Sequence, residues 1–299
     1  MRLVSFNAGR VGRVDGDHVV DLTPLLDCSD GYSSVSSMRR LISQWSQLGH
    51  RAGAFDGPRY ALNEVTPQAP IPDPSKILAA PVNYADHQAE MKVNAQVSSL
   101  GLFLKAPSSV IGPAGTVRLP YFDRRFDQEG ELAVVVGQPA FQLQEDPLAA
   151  VFGYTGLLDI TMRGGEDRST RKSFATFTPL GPWIVTPDEF GDPDSVDLVC
   201  AVNGRIRQQA NTRDLIWNVA RLVQYASWIS PLQPGDIITT GTPAGVDEIL
   251  DGDDITLELS GLGAPLRVTV VSDGAVRSHT TGSGRGPQPP AGSRTGMRT

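Results

Sequence analysis

The chain has 299 residues, 40% of them apolar and 20% charged, with a formal net charge of −7. This is the composition of a globular protein long enough for one large domain and a small one, and the acidic balance speaks against a nucleic-acid partner, which needs a basic surface. No apolar run reaches a membrane span, the opening MRLVSFNAGRVGRV lacks the apolar core of a secretion signal, and Cys28 and Cys200 form neither a metal spacing nor a disulfide framework, so a cytoplasmic protein with no membrane partner is expected.

Residues 1 to about 24 alternate apolar and polar, and Asp15-Gly16 is a hairpin signal between two short strands. Met38, Leu41, Ile42, Trp45 and Leu48 follow at helical spacing behind serines able to cap. The segment PQAPIPDPSK (67–76), with four prolines, reads as a linker closing a small N-terminal α+β unit. From Ile77 the pattern is strand-rich. ELAVVVG (131–137) is a short continuous apolar run, the mark of a strand buried on both faces. LVCAVNGRIRQ (198–208) carries Asn-Gly between two strand-like halves. Leu215, Ile216, Val219, Leu222, Val223, Ala226 and Ile229 form one apolar stripe and predict a packed helix. GDIITTG, DITLELS and APLRVTVV read as further short strands, and strands joined by Gly and Pro turns argue for a β-rich roll or sandwich in an α+β chain. Residues 277–299 are polar and of low complexity, a composition that predicts a disordered tail.

Glu129 and Glu131 in FDQEGELAVVVG are two apart, so in a strand both carboxylates leave the backbone on one side. One reading is the solvated face of an edge strand. The other is a ligand pair, because a carboxylate at the mouth of an apolar strand is partly desolvated and needs a cation or several donors. A hard divalent ion bound by oxygen, Mg²⁺ or Mn²⁺, meets that need. Asp159, in GYTGLLDITMRGG, either pairs with Arg163 at a strand end or completes the ligand set; spacing alone does not bring it to Glu131. His87 and Glu90 lie at i, i+3 if Asn83 or Asp86 caps a short helix there. That is either an exposed helical pair or an imidazole oriented and made more basic by a carboxylate.

Several motifs stand in order: NYADHQAEM (83–91), GLFLKAPSS (101–109), Glu129-Gly130-Glu131, Asp159-Ile160-Thr161-Met162-Arg163, RKSFATFTPLGPW with Lys172, VNGRIRQ (202–208) and GDIITTGTPAGV (235–246). Their order and spacing resemble the fumarylacetoacetate hydrolase family from about Lys76 to Val271, roughly two thirds of the chain. The resemblance implies the mixed β-sandwich roll of that family's C-terminal domain, expected over 71–276, between the small N-terminal α+β domain read from the pattern over 1–70 and the tail read from composition over 277–299. It implies Glu129, Glu131 and Asp159 as ligands of Mg²⁺ or Mn²⁺, and His87 with Glu90 as the base on a segment that acts as a mobile lid in some relatives. It gives Lys172 and Arg163 the role of holding developing negative charge, makes Thr242 and Tyr84 substrate contacts, and leaves Lys105 structural. A homodimer is implied too, with Trp217, Tyr225 and Trp228 as interface or as core.

The activity implied is hydrolytic cleavage of a C–C bond in an acylpyruvate-like diketo acid of the fumarylacetoacetate or fumarylpyruvate type, leaving an enolate stabilised by the metal. Decarboxylation, hydration or isomerisation of a 2-oxo acid would use the same site. The rival from another class is a non-catalytic β-rich binding protein with a structural ion. Three departures from the family's pattern bear on the substrate and leave the ligand set untouched: Pro81 where many relatives have glycine, Ala175 where many carry Asp, and Glu166 near a glutamine of a hydrolytic branch.

Overall fold

The structure is a computed structural model describing residues 1–26, 35–282, 284 and 286–289. Cys28 and residues 290–299 of the C-terminal segment lie outside the described residues. Strands Arg2–Phe6, Arg10–Asp15 and His18–Asp21 open the chain, and Gly16 takes φ +61° in the turn between the last two. These strands are hydrogen-bonded into the main sheet, with Arg2 in register with Val185 and Leu3 with Ile184, so residues 1–70 extend the sheet that carries the site. The apolar spacing after residue 37 yields two helices, Ser37–Ser43 and Trp45–Ala54, broken at Gln44. The Ser36 side chain caps the first by accepting from the Arg39 N–H.

The main sheet runs through Arg2–Phe6, Thr178–Val185, Val151–Leu158, Gly130–Val136, Ile237–Thr239, Ile77–Ala79 and Phe103–Lys105. A second sheet orders Arg205–Asn211, Asp197–Val202, Asp254–Leu259, Leu266–Val271 and Thr116–Arg118. Its hairpin turn is the predicted Asn203-Gly204, with φ of +52° and +73°, the left-handed pair that a two-residue turn requires. The result is a strand-rich α+β fold of mixed sheets, open rather than closed. The helix read from the 215–229 stripe begins at Val219, because the Asn218 side chain caps it by accepting from the Arg221 N–H; Leu215 and Ile216 precede it. No helix among the described residues is long and apolar enough to cross a membrane.

The run Gly130–Val136 is apolar throughout because its two faces meet different cores. Leu132, Val134 and Val136 pack with Leu198, Cys200 and Leu257 of the second sheet, while Ala133 and Val135 pack with Leu3, Met38 and Leu41 of the N-terminal segment. Gly130 lies on the inter-sheet face, where a Cβ would stand 2.9 Å from Leu257 Cδ1 and 3.1 Å from Cys200 Cβ. Glycine therefore separates the two glutamates because the second sheet closes on the backbone there. Gly130→Val is expected to destabilise by about 1–3 kcal/mol through overpacking. An unchanged thermal midpoint would show that the sheets do not meet at this point.

Part of the C-terminal segment carries hydrogen bonds to the body. The Ser278 N–H donates to Asp123 Oδ1 at 2.8 Å, Arg124 Nη1 donates to Thr280 Oγ1 at 3.0 Å, and the Gly165 N–H donates to the Gly282 carbonyl at 3.1 Å.

Candidate active site

By alternation, Glu129 and Glu131 point away from the face that Gly130 presents to the second sheet. Asp159 follows directly on Val151–Leu158. That strand pairs antiparallel with Gly130 opposite Leu158, so Asp159 falls beside Glu129, and the Asp159 N–H donates to the Glu129 carbonyl at 2.8 Å. The carboxylate oxygens of Glu129, Glu131 and Asp159 lie within 4.8 Å of one another, and all three residues are buried.

Cations surround two of the three. Lys172 Nζ donates to Glu129 Oε2 at 2.7 Å, to Thr161 Oγ1 at 2.8 Å and to Asp159 Oδ2. Arg163 donates from Nη2 to Glu129 Oε1 at 2.9 Å and from Nε to Asp127 Oδ2 at 2.6 Å. Lys105, 1% exposed, donates to Asp159 Oδ1 at 2.5 Å and to the carbonyls of Lys172 at 2.6 Å and Phe177 at 3.2 Å. Burial works against ionised Glu129, but Lys172 and Arg163 outweigh it and hold the carboxyl at about 2. Burial likewise opposes the charge of Lys172, and Asp159 and Glu129 outweigh it, so its ammonium is held above the ordinary value.

Glu131 is different. It accepts the Gly241 N–H at 2.9 Å, and among the described residues it has no ion-pair partner. Burial, and then the charge of Asp159, push it up to about 8. A buried carboxylate short of counter-charge, beside two others and with only oxygen donors on offer, fits a hard divalent cation.

The helix Ala85–Glu90 carries the histidine. No side chain caps it: Asn83 instead accepts the Trp217 N–H at 2.8 Å and donates to the Trp217 and Thr240 carbonyls, both at 2.9 Å. This anchors the start of the helix to distant segments. His87 Nδ1 lies 2.9 Å from Glu90 Oε2, and Glu90 Oε1 accepts the Gly245 N–H at 2.9 Å. Only glycine fits at 245, where φ is +99° and a Cβ would sit 1.9 Å from the Arg207 carbonyl. With Nδ1 engaged, Nε2 is the ring nitrogen left to face the cleft.

The cleft beside it is lined by Glu129, Glu131, Asp159, His87, Lys172 and Thr242, among others. Arg163 also reaches it, so the fold gathers these seven predicted residues in one place. Glu90 stands behind His87. Thr242 is held by the fold as well, its hydroxyl donating to the Gly130 carbonyl at 3.0 Å and accepting from Gln208 Nε2 at 2.7 Å. Tyr84 does not line the cleft: it is 1% exposed, and among the described residues its hydroxyl has no hydrogen-bond partner, while burial and then the charge of Glu131 hold its proton more firmly than usual. Of the three departures, Pro81 lines the cleft and Ala175 is exposed. Glu166 is turned to Arg124, which donates to it at 2.8 and 2.9 Å; hydrogen bonds from Arg124 hold its carboxyl at about 2.

Sequence reasoning missed four contributors. Asp127 orients Arg163 and was detectable as the earlier member of the every-second-residue series 127, 129, 131. The ion pair of Lys105 and the anchoring by Asn83 had no local signal, their partners lying 54 and 134 residues away. The Gly241 N–H that binds Glu131 belongs to the motif 235–246, from which only the Thr242 side chain was assigned a role.

A family model described as fumarylacetoacetate hydrolase C-terminal matches residues 76–271. A maleylpyruvate hydrolase of Aquipseudomonas alcaligenes is 41% identical over 278 residues, covering 88% of this chain and 97% of that protein. A mitochondrial oxaloacetate tautomerase of Xenopus laevis is 33% identical, covering 88% of each chain. Among solved structures, maleylpyruvate hydrolase from Sphingobium sp. SYK-6 in complex with manganese(II) ion and pyruvate superposes with a TM-score of 0.81 at 39% identity, covering 91% of this chain and 99% of that one.

Proposed function

The chain belongs to the fumarylacetoacetate hydrolase family, and from that premise we propose that it is a divalent-metal-dependent hydrolase cleaving a C–C bond in an acylpyruvate-type diketo acid. One observation carries the hydrolytic reading: the His87–Glu90 pair opens on the same cleft as the three converging carboxylates. The acylpyruvate class is supported by the maleylpyruvate hydrolases among the relatives.

Glu129, Glu131 and Asp159 would hold Mg²⁺ or Mn²⁺, which when bound supplies Lewis-acid polarisation of the 2-oxo group and compensates enolate charge. Glu90, fixed by the Gly245 N–H, orients the imidazole and raises its basicity. His87 then takes a proton from a water attacking the distal carbonyl, and cleavage releases an acid and the enolate of pyruvate. Lys172 and Arg163 keep positive potential where that charge develops. Lys105 fixes the orientation of Asp159.

The test is a panel of acylpyruvates, oxaloacetate and 2-oxo-alkenoates with Mn²⁺ or Mg²⁺, following enol absorbance and pyruvate release. Pyruvate from acylpyruvates, lost with EDTA, is the expected outcome. Enol–keto conversion of oxaloacetate with no cleavage of any acylpyruvate would replace hydrolysis by tautomerisation. The same proposal takes the protein as a homodimer. Trp217 and Tyr225 pack edge-on against each other, leaving Trp228, 47% exposed, for such a contact. A monomeric mass by light scattering at micromolar concentration would remove the dimer.

A further inference from the structure

The cleft holds more positive charge than its carboxylates use. Of the four Arg and Lys residues lining it, Arg163 and Lys172 are engaged with Glu129 and Asp159. Arg168 and Arg171, on the short helix Arg168–Arg171, form no ion pair among the described residues. Arg171 is only 9% exposed. Its Nε donates to the Glu166 carbonyl at 2.8 Å and its Nη1 to the Met162 carbonyl at 3.3 Å. Neutral carbonyls thus fix its plane while part of its five-donor fork is left over. Glu166 is itself clamped by Arg124, so this mount is rigid. Arg168 is half-buried and makes no side-chain hydrogen bond among the described residues.

A buried guanidinium without counter-charge is unfavourable unless an anion completes it, and planar bidentate recognition of carboxylate is what arginine does best. Much of the remaining wall is apolar, with Val82, Met91, Val93 and Phe103. We propose that Arg168 and Arg171 form a second anion subsite, which binds the distal carboxylate of a substrate whose 2-oxo acid head lies at Glu129, Glu131 and Asp159. The substrate is then a dicarboxylate rather than an acylpyruvate with a neutral end. This rests on the proposed function for the position of the head, and it adds the identity of the other end.

The experiment measures binding rather than turnover. Protein loaded with Mn²⁺ is titrated calorimetrically with 2-oxoglutarate, 2-oxoadipate and 2-oxopimelate, and with the monoacids of matching length, none of which carries the cleavable diketone. At the best-fitting length the diacid should bind about 10–100-fold more tightly than its monoacid, the value of one or two charge-assisted hydrogen bonds. Arg168→Met and Arg171→Met should each remove about tenfold or more of that preference and leave monoacid affinity within about twofold. Arg168→Lys should recover part of it. Thermal melts accompany each variant; should Arg171→Met fail to fold, Arg168→Met, which breaks no side-chain bond, carries the test. Equal affinity for diacid and monoacid at every length, or variants weakening both alike, would overturn the subsite. A diacid preference in a protein that cleaves no acylpyruvate would overturn the hydrolase reading and leave the subsite standing. Cleavage of acylpyruvates without any diacid preference would overturn the subsite alone.

Discussion

Glu131→Ala is expected to abolish both divalent-metal binding and turnover. Glu129 and Asp159 already have Lys172, Arg163 and Lys105 as ion-pair partners, whereas Glu131 accepts the Gly241 N–H and has no ion-pair partner among the described residues. Without Glu131, two nearly neutralised carboxylates remain, a poor site for a hard cation that needs several anionic oxygens. The loss in affinity should exceed the about 10–100-fold typical of losing an outer partner of a ligand, and a Mn²⁺ titration by calorimetry reads it directly. The metal-free protein gives a second readout. Glu131 is pushed up to about 8 from 4.5, so the folded state keeps its proton where the unfolded chain has released it. Stability from this group is therefore lost as pH rises from about 4.5 to about 8. Glu131→Gln removes that dependence, so its melting temperature relative to wild type should rise across the window. Undiminished Mn²⁺ affinity in Glu131→Ala would end the ligand assignment.

His87→Ala should separate catalysis from metal binding. The imidazole is tied to Glu90 through Nδ1 and is not one of the three converging ligand groups. Metal affinity should stay nearly intact while kcat falls by about 10²–10⁴-fold, the usual worth of a general base. Glu90→Gln should lose less, because the ring keeps a hydrogen-bonding neighbour but loses the negative charge that raises its basicity. The size of the effect also reports the reaction. In a decarboxylation the bond breaks without attack by water, so a small loss in His87→Ala with an intact metal site would count against hydrolysis. Equal loss of Mn²⁺ affinity in His87→Ala and Glu131→Ala would make His87 a ligand or a structural residue, and the proposed division of labour would be wrong.

Whatever depends on period within one element was legible in the sequence. The two-residue period of a strand put Glu129 and Glu131 on one side, and the i, i+3 geometry of a helix paired His87 with Glu90. The Asn203-Gly204 turn and the doubly buried strand 130–136 were likewise local, set by left-handed φ and by composition. Asp159 was different, because nothing near it in the chain says which residue it will face. Its place beside Glu129 follows from an antiparallel register that sets Gly130 opposite Leu158, and register is fixed by the packing of both faces of the sheet. Lys105, 54 residues from Asp159, and Asn83, 134 residues from Trp217, act only across such junctions. Tyr84, next to Asn83 in the same motif, is buried, and the segment there bridges to Leu215. Local dihedral periods determined which way side chains leave their own strand or helix; only the tertiary structure decided which of them meet, because that depends on how separate elements are aligned and buried against each other.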